Sequence, residues 1–186
     1  MADLAEPQVS SESIEKVRSI VGWYTVAASA TGAVPIPASS LAIVANNGFM
    51  MAHVSAALGA PVQWATVVTS LGVAGTLNVA GRAVFIEAAK ALAGGTGSIW
   101  AAAALSAVGA GTAGLQTYVI GLLAIEIARR GGRPLTETES AAILAKAKET
   151  YEGFLSEMRS RKIPDPGPAP EAQLRNIDGD KLSSEK

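Results

Sequence analysis

The chain has 186 residues, which allows one compact domain with tails. Hydrophobic residues make up 49% of it and aromatic residues only 5%, a composition that favours closely packed helices over a β-barrel or β-sandwich. The formal net charge is -1 and cysteine is absent, which excludes a disulfide framework, a thiol nucleophile and a zinc site of the usual cysteine type.

The first predicted helix follows residues 1–11, which we expect to be disordered. Ser10 or Ser11 can cap a helix that starts near Glu12 and continues to Ala33. Its charges end at Arg18, and no Asp, Glu, Lys or Arg follows until Arg82. Trp23 and Tyr24 lie where an interfacial aromatic pair would anchor a membrane entry. The N-terminus has no basic region ahead of an apolar core, so we expect no cleaved secretory signal.

Two prolines, Pro35 and Pro37, predict a break in this apolar sequence, because proline lacks the backbone N–H that a helix needs. Ser39 or Ser40 can then cap a second helix, over about Leu41–Leu58, which Gly59 and Pro61 end. The candidate intramembrane polar positions lie inside this second helix and are Asn46, Asn47 and His53. The prolines predict a helical hairpin.

Two further apolar helices are predicted, over Val62–Ala80 and Ser98–Ala128, and the second lies in a charge-free run that extends from Ala91 to Ile125. Both carry small residues four positions apart, a spacing that lets membrane helices approach closely. The candidate helix-packing positions are Gly72, Thr76, Ala80, Ala102, Ser106, Ala110 and Gly114. An alanine-rich soluble bundle is the alternative interpretation of the same pattern.

Basic residues flank the apolar segments and predict which side of a membrane each end occupies. Lys16 and Arg18 precede the first segment, and Arg129, Arg130 and Arg133 follow the last. Because both ends are then cytoplasmic, the number of crossings is even, and we expect a second hairpin that turns near Gly109–Gly114. Glu126 lies three and four positions before Arg129 and Arg130, which predicts an intrahelical ion pair.

The sequence from Thr136 to Glu139 has the capping-box pattern and opens an amphipathic helix that extends to about Arg161. Its apolar face is either docked on the rest of the protein or free to bind a partner. The residues proposed for that partner face are Tyr151, Phe154, Leu155 and Met158. We divide the chain into a helical membrane domain (12–133), this helix (134–162) and a proline-rich, disordered tail (163–186).

The sequence offers no constellation for catalysis, a metal or a cofactor. His53 stands alone in the apolar region, and a nucleophile paired with a base cannot be assembled. The glycine-rich stretch 94–98 lacks the lysine of a phosphate-binding P-loop. No basic stripe with interleaved aromatics appears, so nucleic acid is not an expected partner.

Several short motifs together resemble the YcjF-type, GTPase-associated membrane domain of unknown function, over roughly residues 15–135. The motifs are Gly32-Ala33-Val34-Pro35-Ile36-Pro37, Asn47-Gly48-Phe49-Met50-Met51, Leu58-Gly59, Thr117-Tyr118-Val119-Ile120-Gly121 and Arg130-Gly131-Gly132. The chain departs from the family pattern at two places: Ser39 or Ser40 replaces a frequent acidic residue, and Asn46 or Asn47 replaces the family's glutamine. The resemblance implies a membrane-inserted helical module without established biochemical activity, found beside Era-like or dynamin-like GTPases.

We therefore expect an all-α fold of membrane-embedded helical hairpins with a C-terminal amphipathic cytoplasmic helix. The expected function is non-enzymatic: the chain anchors or organises a larger assembly in the bacterial inner (cytoplasmic) membrane, with both termini cytoplasmic. Membrane lipid and a protein, with a GTPase as candidate, are the expected partners, and a homo-oligomer is a further candidate assembly. Two alternatives are a pore or small-solute channel lined by Asn46, Asn47, His53 and Glu126, and a soluble alanine-rich binding module.

Overall fold

The computed structural model describes residues 10–33, 38–73 and 99–178. These residues form helices and no strand, which confirms the all-α prediction at that level. The proline break at Pro35 and Pro37 and the segment 74–98 lie outside the described residues. The helices are α1 (Ser11–Gly32), α2 (Ala38–Leu58), α3 (Trp64–Val73), α4 (Ile99–Arg129), α5 (Glu137–Ser160) and α6 (Glu171–Asp178).

Helix α1 begins as its capping residues predict. The Ser10 side chain accepts a hydrogen bond from the Ser13 backbone N–H at 3.1 Å, which satisfies one of the free donors at the helix start. From Val17 onward the helix buries one side, and it packs against both α2 and α4. Tyr24 is buried in this core instead of standing at a membrane interface, so that part of the interfacial prediction is wrong.

Helix α4 is continuous from Ile99 to Arg129, so the turn predicted near Gly109–Gly114 is wrong. Glycine in a helix interior costs about 1 kcal/mol relative to alanine, but it does not remove a backbone hydrogen bond as proline does. Packing of α1, α2 and α5 against α4 offsets that cost. The glycines also permit close contact: Gly114 lies against Ser29 and Tyr151, and Gly121 lies against Val21.

One stretch among the described residues, Ala110–Arg129 within α4, is long and apolar enough to cross a bilayer. Of its apolar window, 56% is buried inside the protein. The core helix of a soluble protein meets the same criterion, so this stretch alone carries little weight for a membrane position.

Helix α5 has the predicted capping box. The Thr136 hydroxyl accepts from the Glu139 backbone N–H, and the Glu139 carboxylate accepts from the Thr136 backbone N–H at 2.8 Å. The apolar face of α5 is docked on α1 and α4, with Tyr151, Phe154, Leu155 and Met158 all buried. Of the two alternatives for this apolar face, the structure shows the docked one. These four side chains therefore do not form a free face for a partner.

Ion pairs surround the ends of α5. Arg18 near the start of α1 pairs with Glu157, and Arg161 pairs with Glu157 and with Glu15 at 3.1 Å. At the other end, Arg130 lies between two carboxylates, 2.9 Å from Glu126 and 2.6 Å from Glu139. The intrahelical pairing predicted for Glu126 is confirmed.

The segment after α5 differs from the disordered tail that we expected. Residues 171–178 form helix α6, and this helix packs against α2. An eight-residue helix is too short to be stable alone in water. Tertiary contact with α2 therefore explains why a polar, proline-flanked sequence is helical.

The close contact at Gly121 leads to a stability prediction. A Cβ at this position would lie 2.6 and 2.9 Å from the two γ-carbons of Val21, whose short, branched side chain has little freedom to move away. We expect Gly121→Ala to destabilise the protein, because overpacking costs about 1–3 kcal/mol and exceeds the helix-propensity gain of about 0.5–1 kcal/mol. Thermal unfolding followed by circular dichroism measures the change.

Gly111→Ala is the matched control in the same helix, since nothing lies within 4 Å of a Cβ there. It should raise the melting temperature by removing backbone entropy from the unfolded state. Equal behaviour of the two variants would contradict the close contact between α1 and α4.

The capping box leads to a prediction of pH dependence. Hydrogen bonds from the Thr136 backbone and then from Arg130 and the Thr136 hydroxyl lower the pKa of Glu139 to about 2. Because this pKa lies below the ordinary value of 4.5, the ionised carboxylate stabilises the fold above about pH 4.5, and this contribution is lost as the pH falls toward 2. Glu139→Gln should therefore lower the free energy of unfolding at neutral pH, with wild type and variant converging in acid.

Denaturant unfolding from pH 7 down to pH 3 measures this convergence. Glu137→Gln is the control, because it removes a carboxylate at an exposed position of the same helical turn that takes no part in the capping box. A constant difference between wild type and Glu139→Gln at all pH values would rule out the ionic origin of the effect.

Candidate functional site

A cluster of polar side chains lies in the otherwise apolar core between α1 and α2. His53 Nδ1 is 3.0 Å from the Tyr24 hydroxyl and 2.9 Å from the Phe49 carbonyl oxygen. His53 is 7% exposed and Tyr24 is 4% exposed. When Nδ1 carries a proton, it donates to the carbonyl of the preceding helical turn, and the tyrosine oxygen is a second acceptor beside it.

The two asparagines of α2 point to different neighbours. Asn46 Nδ2 donates to the Tyr24 carbonyl oxygen at 3.2 Å and so ties α2 to α1. Asn47 is buried, and its Oδ1 accepts from the Thr117 hydroxyl of α4 at 2.9 Å. The candidate intramembrane polar residues therefore join three helices, and we name the set Tyr24, Asn46, Asn47, His53 and Thr117 the polar seam.

Two side-chain atoms near these helices are buried without a hydrogen-bond partner in the described part of the chain: His53 Nε2 and Thr25 Oγ1. An unsatisfied buried polar group costs about 1–3 kcal/mol. The polar seam is consequently fully satisfied at Asn47 and Thr117 but not at His53. A group that could donate to or accept from His53 Nε2 would gain a hydrogen bond there.

The chemistry available to the polar seam is recognition and packing. Its titratable members, Tyr24 and His53, are both enclosed by the core. Burial and then the nearby charge of Asp165 raise the pKa of Tyr24 to about 12, so this tyrosine stays neutral. Within residues 10–33, 38–73 and 99–178, no group of three or more His, Cys, Asp or Glu side chains could hold a metal ion.

Five of the seven predicted helix-packing residues lie in helices that the structure describes. Gly114 is buried at the contact of α4 with Ser29 and Tyr151, and Ala110 is half-buried on the same helix. Ala102 and Ser106 belong to α4 and Gly72 belongs to α3. Thr76 and Ala80 lie outside the described residues.

Tyr151 links α5 to the same core. Its hydroxyl lies with Ser29 against Gly114, and its ring is 5.9 Å from that of Tyr118. Burial raises the pKa of Tyr151, and the neighbouring Ser29 hydroxyl acts in the opposite direction. The Tyr151 hydroxyl is buried without a hydrogen-bond partner among the described residues. Tyr151 is therefore a neutral phenol over the physiological range and contributes through packing.

Two members of the polar seam were not identified as site residues from the sequence. Thr117 was noted only as part of a family motif, and Tyr24 was assigned to an interface. The available signal for Thr117 was a hydroxyl inside a charge-free helix, where polar side chains tend to bond across helices. Its pairing with Asn47, 70 residues earlier, needed the tertiary fold.

Comparisons of the chain with protein-family models, with curated proteins and with solved structures found no match.

The Asn47–Thr117 bond leads to a prediction about specificity of packing. Thr117→Val keeps the side-chain shape but leaves Asn47 Oδ1 buried without its donor. We expect a loss of about 1–3 kcal/mol in the free energy of unfolding, measured with chemical denaturant. The double variant Asn47→Leu with Thr117→Val should recover most of that loss, since both polar groups are then removed. If Thr117→Val left the free energy of unfolding unchanged, the bond would make no net contribution to stability.

Proposed function

We propose that this chain is a non-enzymatic membrane module that embeds its charge-free helices in a bilayer and presents its charged helices to a larger cytoplasmic assembly. The observation that carries the proposal is the separation of charge along the chain. Among the described residues, 19–33, 38–73 and 99–125 contain no charged side chain, and these residues build most of α1, α2, α3 and α4.

The charged residues of the described chain lie at the start of α1, at the end of α4 and from Arg129 onward. They pair with one another across α1, α4 and α5. Ion pairs at the edge of an uncharged body are what a protein needs when one part contacts hydrocarbon and another part contacts water. Arg129, Arg130 and Arg133 at the end of α4 support a cytoplasmic position of that end.

The outer surface of α2 supports contact with lipid. Val44 is 55% exposed and Phe49 is 43% exposed, on a helix without a single charge. Large exposed hydrophobic side chains on such a helix favour a membrane or a protein surface over water. Burying Phe49 and Val44 in an apolar phase would gain about 1.5–3 kcal/mol for each side chain when complete.

The cytoplasmic partner in this proposal meets the outer side of α5, because its apolar face is occupied by α1 and α4. That outer side carries Lys146, Lys148, Glu149 and Glu152 at exposed or nearly exposed positions. A partner would therefore bind through charged and polar groups. The family resemblance makes a separate GTPase the leading candidate.

The pore alternative has less support. Asn47 and His53 bond to other side chains inside the core, and Glu126 pairs with Arg129 and Arg130. Groups that are bonded to one another within a packed core are not free to replace the hydration of a passing solute.

A soluble helical binding module is the second candidate. The specific observation in its favour is that the one candidate span of the described residues, Ala110–Arg129, is 56% buried by the protein itself. A span that is already covered gains less from lipid than an exposed one.

Carbonate extraction of membranes from expressing cells separates the two candidates. A membrane module stays in the pellet, and protease added from the cytoplasmic side cuts the C-terminal tail. Release into the supernatant would remove the membrane function and favour the soluble module. The exposed residue Phe49 makes a sharper test.

Phe49→Asp should weaken partition into vesicles about a hundredfold, because a charge within the hydrocarbon costs about 2.5–3.5 kcal/mol. Vesicle flotation measures the partition. Ala145→Asp places the same charge at an exposed position of α5 and should leave flotation unchanged. Equal flotation of both variants would contradict a lipid contact at α2.

A further inference from the structure

The second half of α2 is enclosed on all sides. The six consecutive residues from Met50 to Ser55 are all buried. Six successive positions turn through more than one full helical turn, so no side of the helix is free over this length. Among the described elements, α1, α4 and α6 pack against α2. Helix α6 is thus part of the cover of a charge-free helix.

Helix α6 differs in kind from the other two neighbours. Helices α1 and α4 are long and apolar and contact one another extensively. Helix α6 has eight residues with the sequence EAQLRNID, and Leu174 is its half-buried apolar side chain in the described part. Its first residue, Glu171, is charged and exposed, whereas α2 has no charge of its own.

The connection to α6 is built to remain non-helical. Residues 161–170 contain Pro164, Pro166, Pro168 and Pro170, each of which removes a backbone donor. Gly167 has φ +78° and its N–H donates to the Asp165 carboxylate at 2.8 Å, which forms a turn in the middle of the connection. Ile163 at its start packs against the core, beside an open surface depression that Ser19 and Met158 also line.

A short, polar helix that depends on tertiary contact and follows a proline-rich connection has low local stability. Its detachment would uncover apolar surface on α2 next to Val44 and Phe49, which are already exposed. Placing the charged helix α6 in hydrocarbon beside α2 would cost free energy, whereas acyl chains can contact α2 without that cost. The two environments therefore favour two different covers for the same helix face.

We propose that α6 is an intramolecular cover of the lipid-contacting surface of α2, and that phospholipid acyl chains displace it when the protein meets a membrane. This inference rests on the proposed membrane function and adds the surface that binds lipid and the element that regulates access to it. In water α6 lies on α2. At a membrane α6 leaves α2, loses its helical structure and remains in the aqueous phase at the end of the proline-rich connection.

Amide hydrogen exchange of the full chain tests the cover directly. The protein is compared in buffer and with vesicles of phosphatidylethanolamine and phosphatidylglycerol, and flotation of the same samples reports how much protein is bound. We expect exchange in residues 171–178 to accelerate by about tenfold or more on vesicles, while exchange in α2 slows.

Leu174→Asp should loosen α6 in buffer and lower the lipid concentration needed for half-maximal flotation. Ala172→Asp adds the same charge at an exposed position of the same helix and should leave both quantities near wild type. The cover requires the half-buried Leu174 to contact α2, so equal effects of the two variants would overturn the cover.

The outcomes distinguish this inference from the proposed function. Flotation of wild type with unchanged protection of residues 171–178 would overturn the cover and leave the membrane function standing. Absence of flotation for wild type and for Leu174→Asp alike would overturn the membrane function, and the cover would fall with it. Flotation accompanied by deprotection of α6 supports both.

Discussion

The close approach of α1 and α4 is the contact on which the rest of the structure depends. Val21 fits against Gly121, and Ser29 lies against Gly114. Because glycine has no Cβ, the two helices can pack at a distance that larger residues would forbid, and their apolar sides exclude water over a long interface. Helices α2 and α5 each contact both members of this pair. A change in the spacing of α1 and α4 would therefore move every other long helix.

The polar seam makes one packing register of the helices more favourable than the others, which an alanine-rich core alone does not do. Small apolar side chains fit one another in many registers, and such cores are prone to lose a unique arrangement. A buried asparagine that must find a hydroxyl, as Asn47 finds Thr117, penalises every register except one. Asn46 and His53 similarly relate α2 to Tyr24 of α1. We interpret the seam as the feature that selects a single packing among similar ones.

The sequence was most informative where a structural signal is local. The Ser10 cap, the capping box of Thr136 and Glu139, and the end of α2 at Gly59 with φ +62° are all set by a few neighbouring residues. The turn expected in Gly109–Gly114 failed because it was inferred from the sidedness of distant basic residues, whereas nothing local breaks α4 there.

Other features depend on contacts between distant parts of the chain. Nothing near Tyr151 or Phe154 decides whether an amphipathic face is docked or free, and α6 is helical only where α2 is available to it. The Asn47–Thr117 pair and the buried position of Tyr24 are of the same kind. In each case the residue types were visible in the sequence, but the partner that fixes their role was not.

The ion pairs between the start of α1 and the end of α5 have a consequence for the order in which the protein is made. Arg18 and Glu157 are 139 positions apart, and Arg161 and Glu15 are 146 apart. At a synthesis rate of about 5–20 residues per second, α1 waits on the order of ten seconds before α5 leaves the ribosome. During that time its side that receives Met158 and Phe154, around Gly22, has no cover from its own chain. This side of α1 therefore becomes buried only after the last large helix has been translated.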